Sequence, residues 1–160
     1  MPFNPLQFKL LYCQPRRLHR VSAWTEHIPF AMLLVELQNP SVVVELGTQW
    51  GASYCAFCQA VEMLNINTHC YAVDTWTGDE HTGHYGNNVF DDLKSHHQRY
   101  ESFSQLLCMT FDEAREKIPD SSVDLLHIDG LHTYEAVKHD YETWLPKMSR
   151  RGIILLHDTA

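Results

Sequence analysis

The residues best suited to chemistry sit in two short motifs. His127-Ile128-Asp129-Gly130-Leu131-His132 and His157-Asp158-Thr159 each place a carboxylate beside imidazoles at the end of an apolar run. If those runs are neighbouring strands, Asp129 and Asp158 face one crevice and can share a divalent cation. Carboxylate oxygens with water suit Mg2+ or Mn2+, while an imidazole ligand from His157 tilts the set towards a transition metal. His132, three residues past Asp129, is placed to deprotonate a hydroxyl that such a cation has acidified. The simpler alternative is that both acids cap the structures that follow and His132 is a surface residue.

A second group follows an earlier apolar run. In Glu45-Leu46-Gly47-Thr48-Gln49-Trp50-Gly51, two glycines four apart let the backbone turn sharply and approach a ligand closely. The loop is neither G-x-G-x-x-G nor a Walker loop with its lysine, and Glu45 would repel a phosphate. It suits a ligand with a cationic or neutral head; a plain tight turn is the alternative. Asp74 ends the next run, where a carboxylate can accept hydrogen bonds from a ribose diol or serve only as a loop acid. The polar stretch 75–86 holds Trp76, Asp79, Glu80, His81 and His84 and reads as a lid, against the alternative of a solvated loop. Trp24 and His27 are placed to close the other side of the pocket.

These groups need a frame that gathers strand ends. Residues 29–38 place Phe30, Leu33, Leu34 and Leu37 at helical spacing, with Pro29 in the first turn. Short apolar runs at 41–46, 70–74, 104–109, 123–129 and 152–158 read as buried strands, and 51–64, 87–99, 111–118 and 133–145 as helices between them. Strands alternating with helices form a parallel sheet with helices on both faces: an α/β, doubly wound fold. Ligands on such a sheet bind beyond the carboxyl ends of the strands, where the motifs lie.

Composition narrows the function. The chain has 160 residues, 44% of them hydrophobic, which suits one globular domain. Its formal charge of −8 argues against nucleic-acid or anionic-membrane partners. Eleven histidines make that charge strongly pH-dependent. No run approaches the ~20 apolar residues of a membrane span, and the first residues do not read as a secretory signal. Five cysteines, three within apolar patterns, point to free thiols in a reducing, cytoplasmic setting. Cys55-x-x-Cys58 has no second pair to complete a zinc site and reads as helix packing.

Taken together, VVVELGTQWGASYCAFCQAV, YAVDTW and VDLLHIDGLHTYEAVKHDYETWLPKMSRRGIILLHDT resemble class I S-adenosylmethionine-dependent methyltransferases. The pattern of Asp129-Gly130, His132, Tyr134 and His157-Asp158 is similar to the branch of metal-dependent sugar and antibiotic O-methyltransferases and cephalosporin-hydroxylase-like proteins. Similar segments occur as modules of bacterial glycosyltransferase polypeptides. The resemblance covers about residues 22–159. It implies a Rossmann-like sheet of order 3-2-1-4-5, truncated after strand five where a full fold has two more strands, the last antiparallel. It divides the chain into a lead-in, 1–22, and an incomplete cofactor-binding methyltransferase domain, 23–160. It implies that Glu45, Gly47, Thr48 and Gly51 lie under the methionine part of S-adenosylmethionine, with Glu45 facing its amino group. Asp74 then takes the ribose, and Phe111 and Asp112 the adenine. Asp129 and Asp158 become ligands of Mg2+ or Mn2+, with His157 where relatives carry an acid, and His132 becomes the general base. The implied reaction is O-methylation of a sugar hydroxyl in polysaccharide or glycoconjugate biosynthesis. The partners are a small-molecule or glycan substrate, and a second copy or the domains of a parent glycosyltransferase. The alternative is a non-catalytic or cofactor-binding module of a larger glycosyltransferase-type protein.

Overall fold

A computed structural model of the chain describes residues 4–18, 24–79 and 83–158. Five helices appear among them: α1 (Ile28–Gln38), α2 (Ala52–Leu64), α3 (Asn88–His97), α4 (Phe111–Arg115) and α5 (Tyr134–Trp144). The strands are β1 (Val42–Leu46), β2 (His69–Asp74), β3 (Gly78–Asp79), β4 (Gly83–His84), β5 (Ser104–Cys108), β6 (Val123–Ile128) and β7 (Met148–Leu156). β3 and β4 form a small antiparallel hairpin, which the sequence reading lacked. The other five make one sheet in the order β5-β2-β1-β6-β7, with every pairing parallel. Hairpin aside, this is the 3-2-1-4-5 order of a doubly wound sheet.

Two apolar layers cover the sheet. Val43, Cys70, Ala72 and Leu125 join α1, α2 and α3 residues on one face. Val44, Leu46, Val73, Leu126 and Ile128 meet Ala114, Ile118 and Trp144 on the other. Alternate strand residues supply alternate layers, so both faces are buried and the runs read as continuously apolar. The cysteines are free, with Cys55, Cys58 and Cys70 buried. Burial raises the pKa of the Cys55 and Cys58 thiols, which keeps them unreactive.

Two features differ from the sequence reading. The buried face of α1 is Ile28, Ala31, Met32, Leu34 and Val35, while Phe30 and Leu37 are about half exposed. The helix is apolar nearly all round, so periodicity alone could not choose its phase. β7 starts at Met148, because a register irregularity between Val123 and Leu125 draws the polar Ser149–Arg151 stretch into the ladder. There Ser149 and Arg151 bond Asp124, which also accepts the Ser41 N–H at 2.7 Å. Residues 4–18, in the expected lead-in, pack on the domain. Leu10 is in the core, and the Gln59 amide bonds both the Arg16 N–H and the Gln14 carbonyl. Arg17 reaches the Trp50 carbonyl at 2.6 Å and Asp92 of α3 at 2.5 Å. Among the described residues, no helix is long and apolar enough to cross a membrane.

Candidate functional site at the strand ends

Parallel register aligns the site. Leu46 pairs with Val73 on one side and Ile128 on the other, and Ile128 pairs with Leu156. The residues one step beyond are Gly47, Asp74, Asp129 and His157, so one sheet edge carries four of the candidates. The ladder runs on through Gly47 N–H to the Val73 carbonyl (2.9 Å), Asp129 N–H to Leu46 (2.8 Å) and His157 N–H to Ile128 (3.1 Å).

Asp129, His132, His157 and Asp158 meet there. His132 Nε2 is 3.2 Å from Asp129 Oδ1, and its Nδ1 is 3.1 Å from Asp158 Oδ2. His157 Nδ1 is 3.1 Å from both Asp129 Oδ1 and Asp158 Oδ1. This nitrogen is buried yet aligned for a hydrogen bond with neither oxygen. One ligand atom from each of Asp129, His132 and His157 lies within 4.8 Å of the others. With coordination bonds of roughly 2.0–2.3 Å, that span fits a single cation. A buried, unaligned imidazole nitrogen between carboxylates is what a metal would satisfy, and the nitrogen donors favour Mn2+ over Mg2+. Asp158 has a positive φ of 48° and its side chain is 52% exposed. His132, expected as a base apart from the ligands, lies inside the cluster with both nitrogens facing carboxylates.

Trp24 and His27 join the same place. The Trp24 indole N–H donates to Asp129 Oδ2 at 3.1 Å, and its ring stacks on His157 at 5.5 Å with 25° between planes. His27 lies 6.2 Å from His157, ring to ring.

The first turn is built as tightly as its glycines suggest, but against protein. Gly47 has φ +86°, and a Cβ there would lie 2.0 Å from the Asp129 carbonyl oxygen. Gly51 has φ +74°, and its Cβ would meet Leu93 of α3 at 2.5 Å. Thr48 between them is buried, with its hydroxyl unbonded among the described residues.

Glu45, expected to face the amino group of the cofactor, is enclosed on the sheet face behind the turn. It is 0% exposed, and its Oε2 lies 2.8 Å from His127 Nδ1. The pairing follows from register: Glu45 and His127 are parallel partners, so their side chains leave the same face of the sheet. Burial raises the Glu45 pKa, and the His127 hydrogen bond opposes it. The sequence showed both residues but not that they would be neighbours.

Asp74 accepts the Gln49 N–H at 2.8 Å on one oxygen and the Trp76 N–H at 2.7 Å on the other. Trp76 returns a bond from its indole to the Gln49 carbonyl (2.9 Å) and packs on Phe90 of α3. The start of the 75–86 stretch thus covers the turn; Glu80 and His81, which belong to the same expected lid, lie outside the described residues. Phe111 packs against Gly130, where a Cβ would sit 2.7 Å from its ring. Asp112 turns the other way and pairs with the exposed His139 of α5 at 3.2 Å. One residue along a helix is a rotation of about 100°, so Phe111 and Asp112 do not share a direction. Asp140 of α5 is buried beside Gly130, which pushes its carboxyl up to about 6.

Residues 44–159 match a family described as a methyltransferase domain. The chain belongs to that family. It is 52% identical over 146 residues to the uncharacterized protein y4gI of Sinorhizobium fredii; the match takes in 91% of this chain but only 16% of that protein. Solved structures share the fold. Cofactor-bound Rv0187 from MTB superposes with a TM-score of 0.67 at 15% identity, over 88% of this chain and 58% of that one. SAH-bound methyltransferase PaMTH1 of Podospora anserina gives 0.64 at 14% identity, over 82% and 51%. The O-methyltransferase TomG of Streptomyces achromogenes, in complex with SAM, gives 0.62 at 13% identity, over 87% and 58%. The chain thus spans about one-sixth of y4gI and somewhat over half of each of these structures.

Proposed function

We propose that the chain is a S-adenosylmethionine-dependent methyltransferase domain that methylates a sugar hydroxyl with the help of Mg2+ or, preferentially, Mn2+. One observation carries the reading: Asp129, His132, His157 and Asp158 converge directly beside the Gly47–Gly51 turn. The cofactor assignment draws on the fold shared with PaMTH1 and TomG, whose structures hold SAH and SAM. The sugar acceptor draws on the resemblance of residues 123–158 to sugar O-methyltransferases.

The residues fit these groups. Thr48 offers a buried hydroxyl on the turn that is unbonded among the described residues, and Asp74, held by the Gln49 and Trp76 N–H groups at the end of β2, stands where a ribose diol would lie. Glu45 is shielded from solvent, so its part is electrostatic: a carboxylate behind the turn favours a cationic head over a phosphate. Phe111, packed against Gly130, would be the residue to meet the adenine, because Asp112 is paired with His139. Asp129, His157 and Asp158 would hold the cation.

S-adenosylmethionine supplies an electrophilic methyl group on a sulfonium, and a bound cation would lower the pKa of the acceptor hydroxyl. His132 takes the hydroxyl proton at one ring nitrogen. Because both nitrogens face carboxylates, one of those contacts must open first; the Asp158 Oδ2 contact is the more exposed of the two, and Oδ1, which faces His157, would stay with the cation. The turn and the Trp76 cover orient the cofactor and exclude water, so that positioning and charge stabilisation provide most of the rate.

Asp158→Ala tests the reading. It should abolish cation-dependent methyl transfer from labelled S-adenosylmethionine to glycoside acceptors while leaving cofactor affinity nearly unchanged. Equal cation-dependent activity in variant and parent would exclude the metal role. The match to only 16% of y4gI suits a second reading, a cofactor-binding module of a larger polypeptide, for which the resemblance suggests a glycan-assembly role. Saturable cofactor binding without transfer to any acceptor would favour it.

A further inference from the structure

The Trp24 side chain lies ahead of the family match, which begins at residue 44, yet it touches the centre of the cluster. We infer that Trp24 is a positioning residue for the cation site: it fixes which oxygen of Asp129, and which face of His157, is presented to the metal. This rests on the metal-assisted reading proposed above.

The argument is geometric. An indole has one donor, and Trp24 gives it to Asp129 Oδ2 at 3.1 Å. That leaves Oδ1 as the oxygen turned to His132 and His157, at 3.2 and 3.1 Å. Asp129 is thereby set to ligate through a single oxygen. The ring also stacks on His157, 5.5 Å between centroids at 25°, which restrains the imidazole from rotating its Nδ1 away from the carboxylates. Trp24 itself is only 7% exposed. The His127 ring meets it edge-on at 4.5 Å, and Phe57 does so at 6.4 Å. His127 is in turn fixed by buried Glu45 at 2.8 Å. The buried pair behind the turn therefore braces the indole, and the indole braces two candidate ligands. Outer partners of this kind orient metal ligands, and losing one typically weakens metal binding about 10- to 100-fold.

The test is Mn2+ affinity, read by paramagnetic resonance of the free ion, for the parent and Trp24→Phe, with metal-free thermal unfolding of both. Phe keeps a stacking ring but has no N–H. The expected result is a single site in the parent, at least about tenfold weaker binding in the variant, and unchanged cofactor affinity. Phe57→Leu serves as a packing control, because it loosens the seat of Trp24 without removing the indole N–H. A merely structural role predicts that Phe57→Leu and Trp24→Phe lose Mn2+ affinity in step with their stability. The positioning role predicts a loss in Trp24→Phe beyond that of the control. Equal affinity in parent and Trp24→Phe, or losses that track unfolding in both variants, overturns the inference while leaving the metal site standing. Absence of Mn2+ binding by the parent overturns the metal site and this inference with it.

Discussion

Glu45 and His127 meet because parallel register sets them side by side on one face of the sheet. Their types were visible in the sequence, as were Asp74, Asp129, His132, His157 and Asp158, since each stands at the end of an apolar run. Their partners were not, because partners depend on which strands are neighbours and on which face a side chain leaves. Glu45 was expected to face the cofactor's amino group, and its burial against His127 was not visible in the sequence. The glycines show the same limit: their spacing marked a tight turn, but only the structure shows that Gly47 makes room for the Asp129 carbonyl. Gly47→Ala would put a Cβ 2.0 Å from that oxygen at φ +86°, against backbone that cannot yield. It should cost upwards of ~3 kcal/mol in urea denaturation. Gly51→Ala meets the end of the flexible Leu93 side chain and should cost about 1–2 kcal/mol, largely from its positive φ. Similar losses at the two positions would contradict this contrast.

At the scale of elements, alternating short apolar runs and helical segments were enough to identify the doubly wound sheet. Helix phase and strand ends were harder. α1 is apolar on nearly all sides, so Phe30 and Leu37 fitted a core face as well as Ile28, Ala31 and Val35 did. β7 begins earlier than its hydrophobicity suggests because its polar start serves Asp124. Burial alone would raise that carboxyl's pKa, but hydrogen bonds from Arg151, Ser149 and the Ser41 N–H outweigh it and hold the pKa at about 2. A folded-state pKa below the ordinary value of 3.8 stabilises the fold above about pH 4, and the contribution is lost as pH falls towards 2. The shift corresponds to about 2 kcal/mol. Asp124→Asn should therefore lower stability by roughly that amount at pH 7, with the gap to the parent closing near pH 2. A gap that stays constant across this range would show that Asp124 acts by packing instead.

Across the whole molecule, the fold gathers the Gly47–Gly51 turn, Asp74 and the Asp129, His132, His157 and Asp158 cluster on one sheet edge, beneath the Trp76 cover and beside Trp24. The histidines do not act alike. His132 and His157 belong to the site with His27 nearby, whereas burial pushes His96 down to about 4 and lowers His97. The pH response is therefore smaller than the count of eleven histidines suggests. The central claim is that this edge binds S-adenosylmethionine next to a divalent cation. Equilibrium dialysis of the folded chain with methyl-labelled S-adenosylmethionine, with and without Mn2+, tests it most directly. The account predicts saturable binding of one cofactor per chain, weakened by Asp74→Ala, and one Mn2+ bound by the cofactor-loaded parent but not by Asp129→Asn. No retention of cofactor by the folded chain, with or without Mn2+, would contradict it.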